Sequence, residues 1–241
     1  MDVDLGTGVG SEERRIAQFA GLAGQMLRQD TLEQTIQTIV EVAREAELSD
    51  DVSLMVVQGR KIVTVGDSGA EVRRADQLQL EWGEGPSVEA ILRRRDFTSD
   101  DLRLDSRWRF WGPQAAKHGW LSVLSVGLAD QNTFGALTLY SRQVSSFGER
   151  ELGVAEVFAT HAAVALSTAR DRQTLIEAVD ARTMVGQAQG ILMERYDIDA
   201  DQAFGVLRRY SSHSNRKLRF IAAEVVERRK LPESVTDDAL A

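Results

Sequence analysis

The 241-residue chain contains no cysteine. That absence excludes disulfides, thiolate metal sites, thiol catalysis and covalent bilin attachment, and it fits a reducing compartment. Long hydrophobic runs are missing too. No apolar stretch approaches the roughly 18–20 residues that cross a bilayer, and the most apolar one, 152–169, contains Glu156 and His161. The N-terminal MDVDLGTGVG is acidic and Gly-rich, without the basic and apolar regions of a secretion signal. Low-complexity tracts and internal repeats are absent. His161 and His213 stand isolated in separate segments. The chain shows no HExxH, no paired carboxylates and no Ser-His-Asp order, and no acceptor histidine followed by an ATP-binding domain. The expectation is a cytoplasmic protein without an enzyme site, a metal, a cofactor or a membrane.

What is present is an ordinary globular composition, 43% hydrophobic and 27% charged, sized for one large domain or two small ones. The formal net charge is -8, which by itself argues against a nucleic-acid partner. The distribution argues otherwise. Residues 1–169 carry a net -8, residues 170–202 a net -3, residues 203–230 a net +6 and residues 231–241 a net -3. One short basic segment inside an acidic chain directs attention to an anionic partner there.

Apolar spacing predicts two helices over 11–47, broken at Asp30-Thr31. A hairpin follows, with strands over 51–57 and 61–65 around Gln58-Gly59-Arg60. Residues 72–120 are harder to read: a turn at Gly83-Glu84-Gly85-Pro86, a short helix over 87–94, and all four tryptophans, Trp82, Trp108, Trp111 and Trp120. Strands over 121–128 and 133–140 come next, joined by residues 129–132. A helix then runs from about Ser146 to Tyr196. Local hairpins without βαβ units predict an α+β fold with an antiparallel sheet.

Four tryptophans in so short a span either line a concave apolar pocket or fill a core. Gly83-Glu84-Gly85 lacks a following Gly-Lys-Ser/Thr and reads as a turn, not a phosphate loop. Trp82-Gly83-Glu84-Gly85-Pro86-Ser87, Asp101-Leu102, Asp105-Ser106-Arg107-Trp108, Ala115, Gly119 and Ser122-Val123-Leu124 resemble a subgroup of GAF domains. Gly135-Ala136-Leu137-Thr138-Leu139-Tyr140 and Phe147 fit the same pattern. The resemblance covers about residues 11–168. It implies a sensory module, an antiparallel sheet flanked by helices, which receives a small molecule or a partner protein. Trp82, Pro86, Ser87, Trp108 and Trp120 are the pocket candidates. The subgroup often has Cys where this chain has Ser87, so thiol sensing is closed to it.

In the helical half, Ile176, Val179, Thr183, Gly186, Gly190 and Met193 form a heptad seam, with Ala162, Ala165 and Ala169 continuing it upstream. Each mid-helix glycine costs about 1 kcal/mol relative to Ala, so a close neighbour is expected, within the chain or between chains. Asp199 and Gln202 form a capping-box pattern. Ala203, Val206, Leu207 and Tyr210 make an apolar stripe, a turn spans 211–215, and Leu218, Ile221, Ala222 and Val225 make another.

Arg182, Val185-Gly186-Gln187-Ala188-Gln189-Gly190-Ile191-Leu192-Met193, Ala203-Phe204, Leu207-Arg208 and Asn215-Arg216-Lys217-Leu218 followed by Ile221-Ala222 strongly resemble the ANTAR domain, over about 172–230. The resemblance implies a three-helix RNA-binding module acting in transcription antitermination, binding paired stem-loops as a dimer. Arg and Lys suit phosphates, and amides or aromatics suit splayed loop bases. The RNA-contact candidates are Arg182, Gln187, Gln189, Arg208, Arg209, Asn215, Arg216, Lys217, Arg219 and Phe220. Two positions depart from the family: Gln189 stands where Lys is common, and Phe220 where an acidic residue is usual. Phe220 lies about 200° from Leu218 around the helix, off the core stripe. It either stacks on a base, packs at a dimer contact or is simply exposed.

The sequence thus predicts a GAF-like sheet flanked by helices (11–168), a connecting helix (147–195), a C-terminal three-helix ANTAR-like bundle (169–232) and an acidic tail (233–241). Its expected partners are stem-loop RNA, a second copy in a homodimer, and an unknown small molecule or protein at the sensor. A DNA-binding helix-turn-helix regulator and a protein-interaction module are the competing readings.

Overall fold

The computed structural model describes residues 24–45, 49–129 and 134–232. Most of the first predicted helix, the 130–133 connection and the acidic tail lie outside the described residues. The chain divides into two compact units, 1–171 and 172–241.

The first unit holds α1 (Leu32–Glu45), β1 (Asp51–Gln58), β2 (Lys61–Asp67), α2 (Ala70–Trp82), α3 (Pro86–Arg93), β3 (Phe97–Ser99), α4 (Trp111–Lys117), β4 (Ser122–Ala129) and β5 (Phe134–Ser141). The strands form one antiparallel sheet in the order β2-β1-β5-β4-β3. The predicted hairpin is present: Gln58 pairs with Lys61 across Gly59-Arg60, and Gly59 takes the positive φ of 63° that the tight turn requires.

Both faces of the sheet are covered, and side-chain alternation assigns residues to each. Leu54, Leu124, Val126, Leu137 and Leu139 face one core with Ile39 and Val42 of α1 and with Ala155, Phe158 and Ala162 of the long helix. Met55, Val123, Ala136 and Tyr140 face the other, with Val72, Val88, Trp108, Trp111 and Trp120. Burial on both faces explains why these strands read as nearly continuous apolar runs.

Helix α2 and strand β3 escape the sequence pattern. The buried face of α2 includes Asp76 and Gln79 beside Val72 and Ala75, so half of its inward period is polar. Strand β3 has three residues, too few for any period.

The long helix, α5, spans Glu149–Tyr196. It is long and apolar enough to cross a membrane by length and composition, which corrects the expectation that no such segment exists. Its N-terminal part, however, supplies Ala155, Phe158, Ala159, Ala162, Ala163 and Leu166 to the sheet core, and that packing accounts for its apolarity. Ala162 and Ala165 are therefore core residues of the first unit.

In the second unit, the C-terminal part of α5 joins α6 (Ala200–Ser214) and α7 (Leu218–Arg228). Ala188, Leu192, Ala203, Val206, Leu207, Ile221, Ala222 and Val225 form its core. The capping box is complete: Gln202 N–H donates to Asp199 Oδ1 at 2.8 Å, and Asp199 N–H to Gln202 Oε1 at 3.0 Å. The predicted turn over 211–215 is shorter than expected. Residues 211–214 stay helical, with Ser214 Oγ returning to the Tyr210 carbonyl at 2.6 Å, and the helix ends at Asn215, which takes the left-handed conformation, φ 51°. Arg195 Nη1 donates to the Arg229 carbonyl at 2.6 Å, fastening the end of α7 to α5.

Candidate nucleic-acid interface and sensor interior

Apolar stripes turn inward in the second unit, so its cations stand outside. Arg182 on α5, Arg208 and Arg209 on α6, and Lys217 before α7 are exposed, and none forms an ion pair among the described residues. Asn215 is exposed in the same α6–α7 connection as Lys217, and Gln187 is exposed on α5.

Three further candidates are engaged internally. Arg216 pairs with Glu224 at 2.8 Å, and Glu224 also holds Arg228 at 3.0 Å. Arg219 reaches Glu177 at 3.6 Å, lies 4.8 Å over the Phe220 ring and keeps a buried Nε without a hydrogen-bond partner. Gln189, standing where the family commonly has Lys, donates its amide to the Ala200 carbonyl. Phe220 is 48% exposed, off the core stripe as its helical position predicts.

The seam residues do not pack inside the unit. Ile176, Val179 and Met193 are 50%, 56% and 37% exposed, and a Cβ added at Gly186 or Gly190 would meet nothing within 4 Å. The face of α5 that enters the bundle core is the one carrying Ala188 and Leu192. Intrachain close approach therefore does not explain the two glycines.

In the first unit, Trp108 and Trp120 are fully buried, as is Trp111. Each buried indole N–H has an acceptor: Trp108 donates to Glu89 Oε1 at 2.9 Å, Trp111 to the Ala75 carbonyl at 3.0 Å, Trp120 to Asp51 Oδ2 at 2.9 Å. Trp82 stands apart, exposed at the end of α2 with its ring 6.4 Å from Phe110. Pro86 and Ser87 begin α3 and are buried.

Sequence reasoning missed a polar cluster around Ser87. Gln79 Oε1 accepts from the amides of Ser87 at 2.9 Å and Val88 at 3.4 Å, capping α3 where Gly85 offers no side chain. Gly85 has φ 136°, and a Cβ there would sit 2.5 Å from the Gln79 side chain, so the turn requires glycine. Gln79 Nε2 donates to Ser87 Oγ at 3.0 Å and Tyr140 Oη at 3.3 Å, and lies 3.5 Å from Asp76 Oδ1. Ser87 Oγ meets Thr138 Oγ1 at 2.7 Å, which in turn meets Ser125 Oγ at 2.8 Å. The Trp-Gly-x-Gly-Pro-Ser pattern and the Thr138-Leu139-Tyr140 stretch marked the place; Asp76 and Gln79 from α2 had no signal of their own. Among the described residues no group of three His, Asp or Glu gathers as a metal site.

Comparison with known proteins gives two matches to domain families. A GAF domain model matches residues 29–167, and an ANTAR domain model matches residues 173–226. No curated protein matches the chain. Among solved structures, the GAF domain of a phosphoenolpyruvate-protein phosphotransferase from Coxiella burnetii is 21% identical with a TM-score of 0.55, covering 66% of this chain and 96% of that one. The corresponding Acinetobacter domain is 12% identical at TM-score 0.53, covering 67% and 98%. A free methionine-R-sulfoxide reductase from Neisseria meningitidis, solved with its substrate, is 14% identical at TM-score 0.54, covering 70% and 98%. All three share the fold of the first unit.

Proposed function

The chain belongs to the GAF domain family and carries an ANTAR domain behind its GAF domain, and from that premise we propose that it is a cytoplasmic, signal-responsive regulator of transcription termination. The domain pair makes it an RNA-binding regulator with a sensory domain. Both domains are regulatory and binding modules, and no enzymatic step enters the reading. In this proposal residues 11–168 sense, residues 169–232 bind stem-loop RNA, and the sensor's ligand is a small molecule or a partner protein.

One observation carries the output. The three helices matched by the ANTAR model bury their apolar stripes and leave Arg182, Arg208, Arg209 and Lys217 exposed and unpaired among the described residues. These side chains supply phosphate contacts, and Gln187, Asn215 and Phe220 supply contacts to loop bases. Arg216 and Arg219 join them once Glu224 and Glu177 are displaced. Binding therefore falls steeply as salt rises.

The same reading makes the molecule a homodimer. Ile176, Val179, Thr183, Gly186, Gly190 and Met193 lie on one exposed face of α5, and the seam glycines let a second helix approach closely. A dimer presents two RNA surfaces, which suits paired stem-loops.

Crosslinking the intact protein to cellular RNA and sequencing the bound fragments tests the output. Tandem stem-loops with a shared loop motif near terminators support it. Unstructured or random fragments refute it, and duplex DNA outcompeting stem-loop RNA would favour a helix-turn-helix reading. Phe220→Asp should weaken RNA binding or dimerisation; if both are unchanged, Phe220 has neither role.

A further inference from the structure

Asp76 is fully buried on the sheet-facing side of α2. Elements on every side contribute groups to it. From β2, Thr64 Oγ1 donates to Asp76 Oδ2 at 2.9 Å. From β5, Tyr140 Oη donates to Oδ1 at 3.2 Å. From its own helix, Gln79 Nε2 lies 3.5 Å from Oδ1. From β1, Ser53 Oγ faces the carboxyl and the Tyr140 hydroxyl but makes no hydrogen bond of its own. No cation among the described residues pairs with Asp76. The charge acting on it is the Asp67 carboxylate, itself tied to Arg73 at 2.8 Å.

A buried carboxyl without a cation is held in its neutral form by desolvation. Burial, with a smaller push from Asp67, raises Asp76 to about 7 against the bonds donated by Thr64 and Tyr140. Burial and Asp76 together push the Tyr140 hydroxyl well above its usual value, so it stays a donor.

We propose that the Asp76 cluster is a proton-operated switch in the first unit, which decides whether Gln79 holds the first turn of α3 or turns toward the carboxylate. The device goes beyond the RNA-binding reading and stands independently of it. Gln79 is the movable part. As the structure stands, its amide nitrogen is bound to Ser87 Oγ at 3.0 Å and Tyr140 Oη at 3.3 Å and its oxygen to the amides of Ser87 and Val88, and the contact to Asp76 is at the limit of a hydrogen bond. The protonated carboxyl is itself a donor, and Ser53 Oγ is the acceptor left over for it. Loss of the proton makes Asp76 acceptor-only. Its oxygens then need further donors in a dry site. Gln79 Nε2 is the nearest amide, and moving it draws Oε1 away from the two α3 amides that have no other cap.

The sign of the stability effect follows from the raised pKa. Asp76 binds its proton more tightly folded than unfolded, so the folded state is favoured at low pH. Between the ordinary carboxylate range and about pH 7, each pH unit lowers the folded-to-unfolded ratio about tenfold through this group. Above about pH 7 the effect levels off.

The test is carboxyl-carbon and amide NMR of the full-length protein with labelled aspartate, from about pH 5 to 9. One Asp carboxyl, assigned through bonds from the Asp76 amide, should titrate near pH 7, and the Ser87 and Val88 amides should shift with the same midpoint. In Asp76→Asn the amide transition should vanish, and the fall in stability with rising pH should flatten relative to wild type. An Asp76 carboxyl that titrates below about pH 5, or Ser87 and Val88 amides that ignore its midpoint, overturns the proposal. Both of these signals come from wild-type protein, so they decide the matter even if the variant fails to fold.

Discussion

The Gln189 side-chain amide donates to the Ala200 carbonyl at 3.0 Å, joining α5 to the first turn of α6. A Lys at this position would offer a phosphate a charge; Gln189 instead supports the start of the second helix beside the Asp199–Gln202 capping box. Gln189→Ala should therefore lower the stability of the second unit by about 1 kcal/mol, the usual net worth of one hydrogen bond. The salt slope of RNA binding should not change. Thermal unfolding and a salt titration of RNA affinity separate the two effects.

Arg208 and Lys217 should act on RNA and not on folding. Both are exposed and without ion pairs among the described residues. Arg208→Ala and Lys217→Ala should each weaken binding across all RNA sequences and reduce the salt slope by about 1, with the unfolding midpoint unchanged. Unaltered slopes in both variants would move the RNA surface elsewhere.

Glu224 holds Arg216 and Arg228 at 2.8 and 3.0 Å, and so competes with phosphate for both. Glu224→Gln should tighten RNA binding several-fold at low salt and steepen its salt dependence by about one ion per released arginine. The Glu224 side chain is only 15% exposed while both arginines are about half-exposed, so stability should fall by no more than about 1 kcal/mol. Weaker binding would show that Glu224 positions Arg216 instead of restraining it.

Gly190 faces open space in the single chain. Gly190→Leu should favour the α5 helix by about 1 kcal/mol and obstruct the approach of a second helix. Sedimentation should show weaker self-association with no loss of second-unit stability. Unchanged association would place the dimer contact off this seam.

Much of this architecture was legible because apolar periodicity is strong where packing is apolar. The Asp51–Asp67 hairpin, the Ala203-Val206-Leu207 stripe and the Asp199 cap are local patterns, and each appears where its residues predicted. Helix α2 was illegible for a physical reason: its inward face carries Asp76 and Gln79, whose partners come from α3, β2 and β5 and leave no trace in the local sequence. The tryptophans illustrate a different limit. Their clustering was plain, but only the fold separates buried Trp108, Trp111 and Trp120 from exposed Trp82. Similarly, composition located the +6 segment, while the partners of Arg216, Arg219 and Gln189 emerged only from side-chain placement.

Strand β5 serves two different interiors at once. Leu137 and Leu139 serve the core against α1 and α5, while Thr138 and Tyr140 serve the polar cluster on the opposite face. A pairing slip of a single residue exchanges the two sets, driving two leucines among hydroxyls and a carboxyl, and a threonine and a tyrosine into a dry aliphatic layer. Both faces penalise the same mistake. The first unit thereby proofreads its central strand during folding, and substitutions at these four positions are expected to lower the yield of correctly paired protein before they alter any partner it binds.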